Sequence, residues 1–140
     1  MTVDNKSCTF EPHCQIGYLR GEIAAKNSDP VLHNTHLYLK KGDKDLVNIA
    51  LPNKGQTVSK KLKKSGAISV KCDAHEWMQA WIFSVTHPYA VVTDASGAFA
   101  LEDVPPGDYV VKTWHEHLGE KEQKVTVAAG GEAKADFAYN

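Results

Sequence analysis

Long hydrophobic runs are missing from this chain of 140 residues. No apolar stretch approaches the roughly 18 to 20 residues needed to cross a bilayer, so no transmembrane helix is expected. An excess of charge of either sign is missing too. Lys and Arg number 16 against 17 Asp and Glu, a net charge of −1. That balance excludes nucleic acid as a general partner, because phosphate binding needs a surplus of cations. There is no G-x-S-x-G elbow, no H-E-x-x-H and no phosphate loop. Asp94 and Glu116 do not form an evident carboxylate pair for acid–base chemistry, and an enzyme is not expected. The opening Met1-Thr2-Val3-Asp4-Asn5 lacks the charged-then-apolar pattern of a signal peptide. Two readings stay open from it: a cytosolic protein, or one that begins after a removed signal. Cysteine is scarce, with Cys8, Cys14 and Cys72 only. An odd number cannot pair completely within one chain, so at least one thiol is left for metal, catalysis or burial.

What is present fits a soluble globular protein: 42% hydrophobic and 24% charged residues. The length suits one domain, or one with a small appended lobe. Period-two alternation marks strands over 67–72, 80–85 and 108–113, with a shorter run at 124–127 and Leu37-Tyr38-Leu39 after Asn34-Thr35-His36. Turn signals separate them: Asn27-Ser28-Asp29-Pro30, Lys41-Gly42-Asp43, Pro52-Asn53-Lys54-Gly55, Asp94-Ala95-Ser96-Gly97, Pro105-Pro106-Gly107-Asp108 and Gly130-Gly131. The pattern predicts an all-β sandwich or barrel. The best helical candidate is short, at 59–64. Lys54, Lys60, Lys61, Lys63 and Lys64 read as a solvated lysine-rich strand edge rather than a docking patch. A soft boundary near His87-Pro88 divides 1–86 from 87–140. No Gly/Ser linker separates the halves, so the strand at 80–85 is expected to serve both and the lobes to pack closely.

The segment that carries chemistry is Cys72-Asp73-Ala74-His75-Glu76-Trp77-Met78. A thiol, an imidazole and a thioether follow a strand at C-x2-H-x2-M spacing, and a short loop can fold all three around one point. Leu32-His33-Asn34-Thr35-His36 supplies a fourth donor. Two imidazoles and a thiolate with a weak axial thioether make a mononuclear blue-copper set: His33, Cys72, His75 and Met78. His36, three residues from His33 on a strand, faces the other way and reads as a hydrogen-bonded side chain. Of His13 and Cys14, at most one reaches any given site. Trp114-His115-Glu116-His117 reads as a surface turn. Cys8 is open between an apolar filler, a disulfide partner of Cys72 or Cys14, and an additional copper ligand.

These motifs resemble the cupredoxins of the amicyanin and plastocyanin kind, over roughly Cys8 to Val85. Cys72, His75 and Met78 match the ligand loop, His33-Asn34-Thr35-His36 matches the upstream H-N-x-H segment, and Phe10-Glu11-Pro12 resembles an entry strand. The resemblance implies a Greek-key β-sandwich with copper as cofactor. It also implies a ligand role for His33, and for Asn34 a tie between the ligand loops. A periplasmic or secreted location and a redox partner, such as a c-type cytochrome or a periplasmic oxidoreductase, follow by the same analogy. The first strand is expected to be short or absent before Cys8, and Cys8 to lie near His75. The tail, with Thr93-Asp94, Gly97-Ala98-Phe99 and Val104-Pro105-Pro106-Gly107-Asp108-Tyr109, resembles carboxypeptidase regulatory-like, or transthyretin-like, β-domains. The functional expectation is a one-electron carrier. The alternatives are a copper chaperone or sensor with a thiol-gated site, and a non-redox binding module.

Overall fold

The computed structural model describes residues 1–41 and 44–140, so Gly42 and Asp43 of the predicted turn at Lys41-Gly42-Asp43 lie outside the described residues. Every regular element among them is a strand, and no helix long and apolar enough to cross a membrane occurs. The chain divides into two compact units, Met1–Phe99 and Ala100–Asn140.

The first unit holds two sheets. In one, β1 (Thr2–Lys6) pairs with β2 (Thr9–Glu11) and with β4 (Glu22–Asn27), and β7 (Thr57–Lys61) closes the order β2-β1-β4-β7. In the other, the order is β3-β9-β8-β5-β6, formed by β3 (Cys14–Tyr18), β5 (His33–Leu39), β6 (Lys44–Leu51), β8 (Gly66–Lys71) and β9 (Gln79–Val85). Alternation builds the shared core. Ile23, Ala25 and Asn27 turn inward from β4, Val3 and Asn5 from β1, and Leu37, Ile68, Val70 and Ile82 meet them from the second sheet. Burying a side chain of this size contributes about 1.5–3 kcal/mol.

β5 is enclosed on both faces, and His33, Asn34, Thr35, His36 and Leu37 are all buried. Thr35 points inward, where its Oγ1 accepts a hydrogen bond of 3.1 Å from Asn5 Nδ2. The fully buried Asn27 donates through Nδ2 to the carbonyls of Val31 (2.8 Å) and Leu51 (2.9 Å), and its Oδ1 accepts Asp29 N–H at 2.9 Å. One side chain thereby sets the path of the turn that delivers the chain into His33.

The helical expectation at 59–64 is corrected. Thr57–Lys61 is an edge strand antiparallel to β4, and Leu62 is the buried anchor that follows it. Pairing with β4 overrides the favourable helix propensity of the lysines, and Lys60 and Lys61 are exposed on that edge. The strand before Cys8 is short but present, as β1.

In the second unit, β10 (Gly107–His115) and β11 (Gly119–Val127) form an antiparallel two-stranded ladder. Tyr109, Val111, Val125 and Val127 are half-buried along it, and no residue from 100 to 140 is fully buried. His115 Nδ1 accepts the backbone N–H groups of His117 (3.2 Å) and Leu118 (3.3 Å), so the His-rich segment is the hairpin turn itself.

Candidate metal centre

β8 and β9 are antiparallel neighbours with Lys71 opposite Gln79, so residues 72–78 form the loop that closes their hairpin. Within it, Met78 N–H bonds to His75 C=O at 2.9 Å. That turn folds the C-x2-H-x2-M segment back on itself. His33 opens β5, the strand beside β8.

Among the described residues, His33, Cys72 and His75 bring one donor atom each to within 4.8 Å of one another. Cys72 Sγ lies 3.9 Å from His33 Nδ1 and 3.6 Å from His75 Nδ1. Bonds of about 2.0–2.3 Å from nitrogen and sulfur to a first-row metal put trigonal donors roughly 3.5–3.8 Å apart. The two sulfur–nitrogen separations therefore already stand near the spacing that one such ion requires, and the soft sulfur and borderline nitrogens fit copper. His33 and Cys72 are buried, while His75 is half-exposed. Met78 is 1% exposed and packs in the same apolar cluster as Cys72.

Two hydrogen-bonded frames hold these donors. The first surrounds Cys72. Asn34 Oδ1 accepts from Cys72 Sγ–H (3.3 Å) and from Asp73 N–H (2.7 Å), while Asn34 Nδ2 donates to Asp73 Oδ2 (2.7 Å) and Asn48 Oδ1 (2.8 Å). His36 Nδ1 lies 3.0 Å from Asp73 Oδ2 and 2.7 Å from Tyr38 OH. His36 is thus a buried, hydrogen-bonded side chain on the face of β5 opposite His33. Burial alone pushes the Asp73 carboxyl up. The combined hydrogen bonds from His36, Asn48 and Asn34 outweigh it and hold the group below its ordinary value.

The second frame surrounds His33. Its Nε2 is 2.9 Å from Asp29 Oδ2, which leaves Nδ1 facing Cys72 and His75. A carboxylate on the far nitrogen of an imidazole orients the ring and selects its tautomer. Asp29 is itself held by the N–H groups of Ser7 (2.8 Å) and Cys8 (2.9 Å). The Cys8 N–H is the largest influence lowering the Asp29 carboxyl below its ordinary value; burial opposes it, and Ser7 and His33 add to it.

Ser7 and Cys8 form the two-residue turn of the β1–β2 hairpin, with φ of 54° and 52°. Such a turn favours Asn-Gly, and left-handed backbone at other residues costs about 1–2 kcal/mol each. Cys8 is a free thiol, as is Cys72. Its carbonyl accepts Trp77 Nε1–H at 3.0 Å, but its sulfur gathers with Asp29 and His33. Asn27, Asp29, Asp73 and Asn48 were not anticipated as site residues. The signals for two of them were position alone: Asp73 adjoins Cys72, and Asp29 precedes His33 by one turn of loop.

Residues 83–140 match the family model described as carboxypeptidase regulatory-like domain, beginning within β9. No curated protein matches the chain. Among solved structures the chain is similar to amicyanin. A proline-to-glycine mutant in its reduced Cu(I) form at pH 4 gives a TM-score of 0.53 at 19% identity, over 61% of this chain and 81% of that one. An oxidised proline-to-alanine mutant gives 0.53 at 20% identity over the same shares. A methionine-to-alanine mutant in the Cu(I) form gives 0.53 at 17% identity, again over 61% and 81%. The likeness identifies the fold as a cupredoxin-type β-sandwich, joined in this chain to a carboxypeptidase regulatory-like segment.

Proposed function

We propose that this protein is a mononuclear, type 1-like copper protein that carries single electrons and is not an enzyme. His33, Cys72 and His75 would hold the metal as its strong ligands and Met78 as a weak donor. The observation that carries the reading is the approach of two imidazole nitrogens to one buried thiol, at 3.6 and 3.9 Å, from two separate segments of chain. Copper, when bound, supplies a Cu(I)/Cu(II) couple that the thiolate and imidazoles serve in both states.

The chain's own residues keep that couple from reorganising its surroundings. Asn34 holds the Cys72 strand end and Asp73 together, and Asp29 fixes the His33 ring. His75 is the half-exposed member of the set, its ring edge-on to Trp77 at 5.1 Å between centroids. Trp77 is 69% exposed, and Val31 and Leu32, just before His33, are exposed as well. An apolar rim of this kind suits brief docking by a redox protein, such as a c-type cytochrome or a periplasmic oxidoreductase. Four protein donors leave no open position for a substrate, which argues against oxidase or reductase chemistry. A periplasmic or secreted location is the part of this reading that the fold likeness supports by analogy, since thiolate–copper carriers of this shape work outside the cytosol. The functional boundary is drawn after residue 86, because every proposed ligand precedes it.

A copper chaperone or sensor is the second reading, favoured by the free Cys8 thiol on the far side of His33. Voltammetry of the copper-loaded protein separates the two. Reversible one-electron cycling with copper retained supports the carrier. Loss of the metal on each reduction or on mild oxidation supports the chaperone and overturns the carrier.

A further inference from the structure

His33 presents donors to two sides. Nδ1 faces Cys72 and His75, while Nε2 faces Asp29, and among the described residues Cys8, Asp29 and His33 also bring one donor atom each to within 4.8 Å of one another. We propose that Cys8 Sγ, Asp29 Oδ2 and His33 Nε2 form a second cation site for a thiophilic closed-shell ion of the zinc class, sharing His33 with the first set. The proposal rests on the copper reading only for its consequence, competition, and not for the site itself.

The donor chemistry fits. Thiolate, imidazole and carboxylate are the usual ligands of such ions, and bonds of about 2.0–2.3 Å place tetrahedral donors roughly 3.3–3.8 Å apart. The Asp29–His33 separation is 2.9 Å, and the whole set spans no more than 4.8 Å, so small side-chain rotations close the cage. Charge fits as well, since one thiolate and one carboxylate neutralise a divalent ion. The donors are held before any ion arrives. Cys8 N–H and Ser7 N–H grip the two Asp29 oxygens, Trp77 holds the Cys8 carbonyl, and Asn27 holds Asp29 N–H. His33 is wholly buried, whereas Cys8 is half-buried and the Asp29 side chain is 14% exposed, which leaves a side open for entry and for a water in the fourth position.

Binding releases the Cys8 thiol proton to solvent. To offer the lone pair of Nε2, the neutral His33 ring gives up the Nε2 proton that it donates to Asp29 and takes one from solvent on Nδ1. The first set needs the opposite tautomer, with Nδ1 as donor. A neutral His33 therefore serves one set at a time, and an ion in the outer site withholds the imidazole that copper requires.

The test uses the full-length chain carrying Cys72→Ser and His75→Ala, which removes the first set, titrated with Cd2+ as probe. A cadmium–thiolate ultraviolet band saturating at one ion per chain is expected. Cys8→Ser in that background should abolish the band, and Asp29→Asn should weaken binding by about 10- to 100-fold. A band that survives Cys8→Ser means adventitious binding only and overturns the proposal, as does the absence of any band in a double variant that is folded. A second arm uses the otherwise unaltered protein, so that misfolding of the double variant does not decide the matter. Preloaded Zn2+ should slow copper uptake, and Cys8→Ala should relieve that inhibition. Equal inhibition in both proteins overturns it. The cadmium arm contains no copper, so it succeeds or fails independently of the electron-carrier reading.

Discussion

The two compact units distribute their apolar residues in different ways. In Met1–Phe99, Val3, Ile23, Leu51, Ile68 and Val70 are wholly buried between two sheets, whereas in Ala100–Asn140 no residue is fully buried. The β10–β11 ladder is nevertheless regular over nine paired positions, with Lys112–Glu122 and Asp108–Thr126 contacts on its charged face. Strand pairing and turn chemistry are therefore enough for regular β-structure, but a lone two-stranded ladder is marginal without a covered face. Holding a thiol and an imidazole out of water at a fixed separation takes an enclosed core. His33, Cys72 and Met78 lie in the unit that has one.

That contrast can be broken by truncating apolar side chains. Leu37→Ala, in the enclosed core, should cost about 2–5 kcal/mol in urea denaturation, and Val111→Ala, on the half-covered ladder, under about 1 kcal/mol. Equal losses would mean that the second unit is buried as deeply as the first.

A polar substitution sharpens the comparison. Asn27→Ala removes a wholly buried amide that makes two hydrogen bonds to the turn before His33 and a third to the Leu51 carbonyl at the end of β6. It should cost about 1–3 kcal/mol and broaden the His33 resonances in NMR. An unchanged His33 environment would show that the turn holds its path without Asn27.

Acid titration comes next. Asp29 and Asp73 sit below their ordinary values in the folded protein. The unfolded chain therefore takes up their protons first. Their contribution is complete above the ordinary carboxyl value of about 3.9 and fades as pH falls through the lower folded values. Stability of the metal-free protein should drop in that window, and Asp73→Asn should flatten the drop. An acid limb unaltered by Asp73→Asn would assign the loss to other carboxyls.

The smallest structural effect is expected from Met78→Leu, a swap that conserves volume in the core. Copper should stay bound while the reduction potential rises, because losing an axial donor disfavours Cu(II). Loss of copper would make Met78 a principal ligand.

Much of this arrangement was legible from short-range pattern. The period-two runs at 67–72 and 80–85 are β8 and β9, and the ligand-spaced segment between them is their hairpin loop. Since Cys72, His75 and Met78 share one loop, their spacing was readable before any fold was known. His33 was readable from the H-N-x-H segment at a strand start. The rest depends on register between distant strands. Asn34 meets Asp73, 39 residues away, only because β5 lies beside β8. The β1–β2 hairpin stayed hidden because its turn is Ser7-Cys8, with neither Asn nor Gly. The lysines of β7 suggested a short helix because pairing with β4 leaves no local trace.

The central claim is that Cys72 is the thiolate of a single copper centre, and the visible spectrum of the copper-loaded protein tests it most directly. The account predicts one copper per chain with an intense thiolate-to-copper charge-transfer band, and loss of that band in Cys72→Ser while Cys8→Ala retains it. A Cys72→Ser protein with its colour intact would contradict the account.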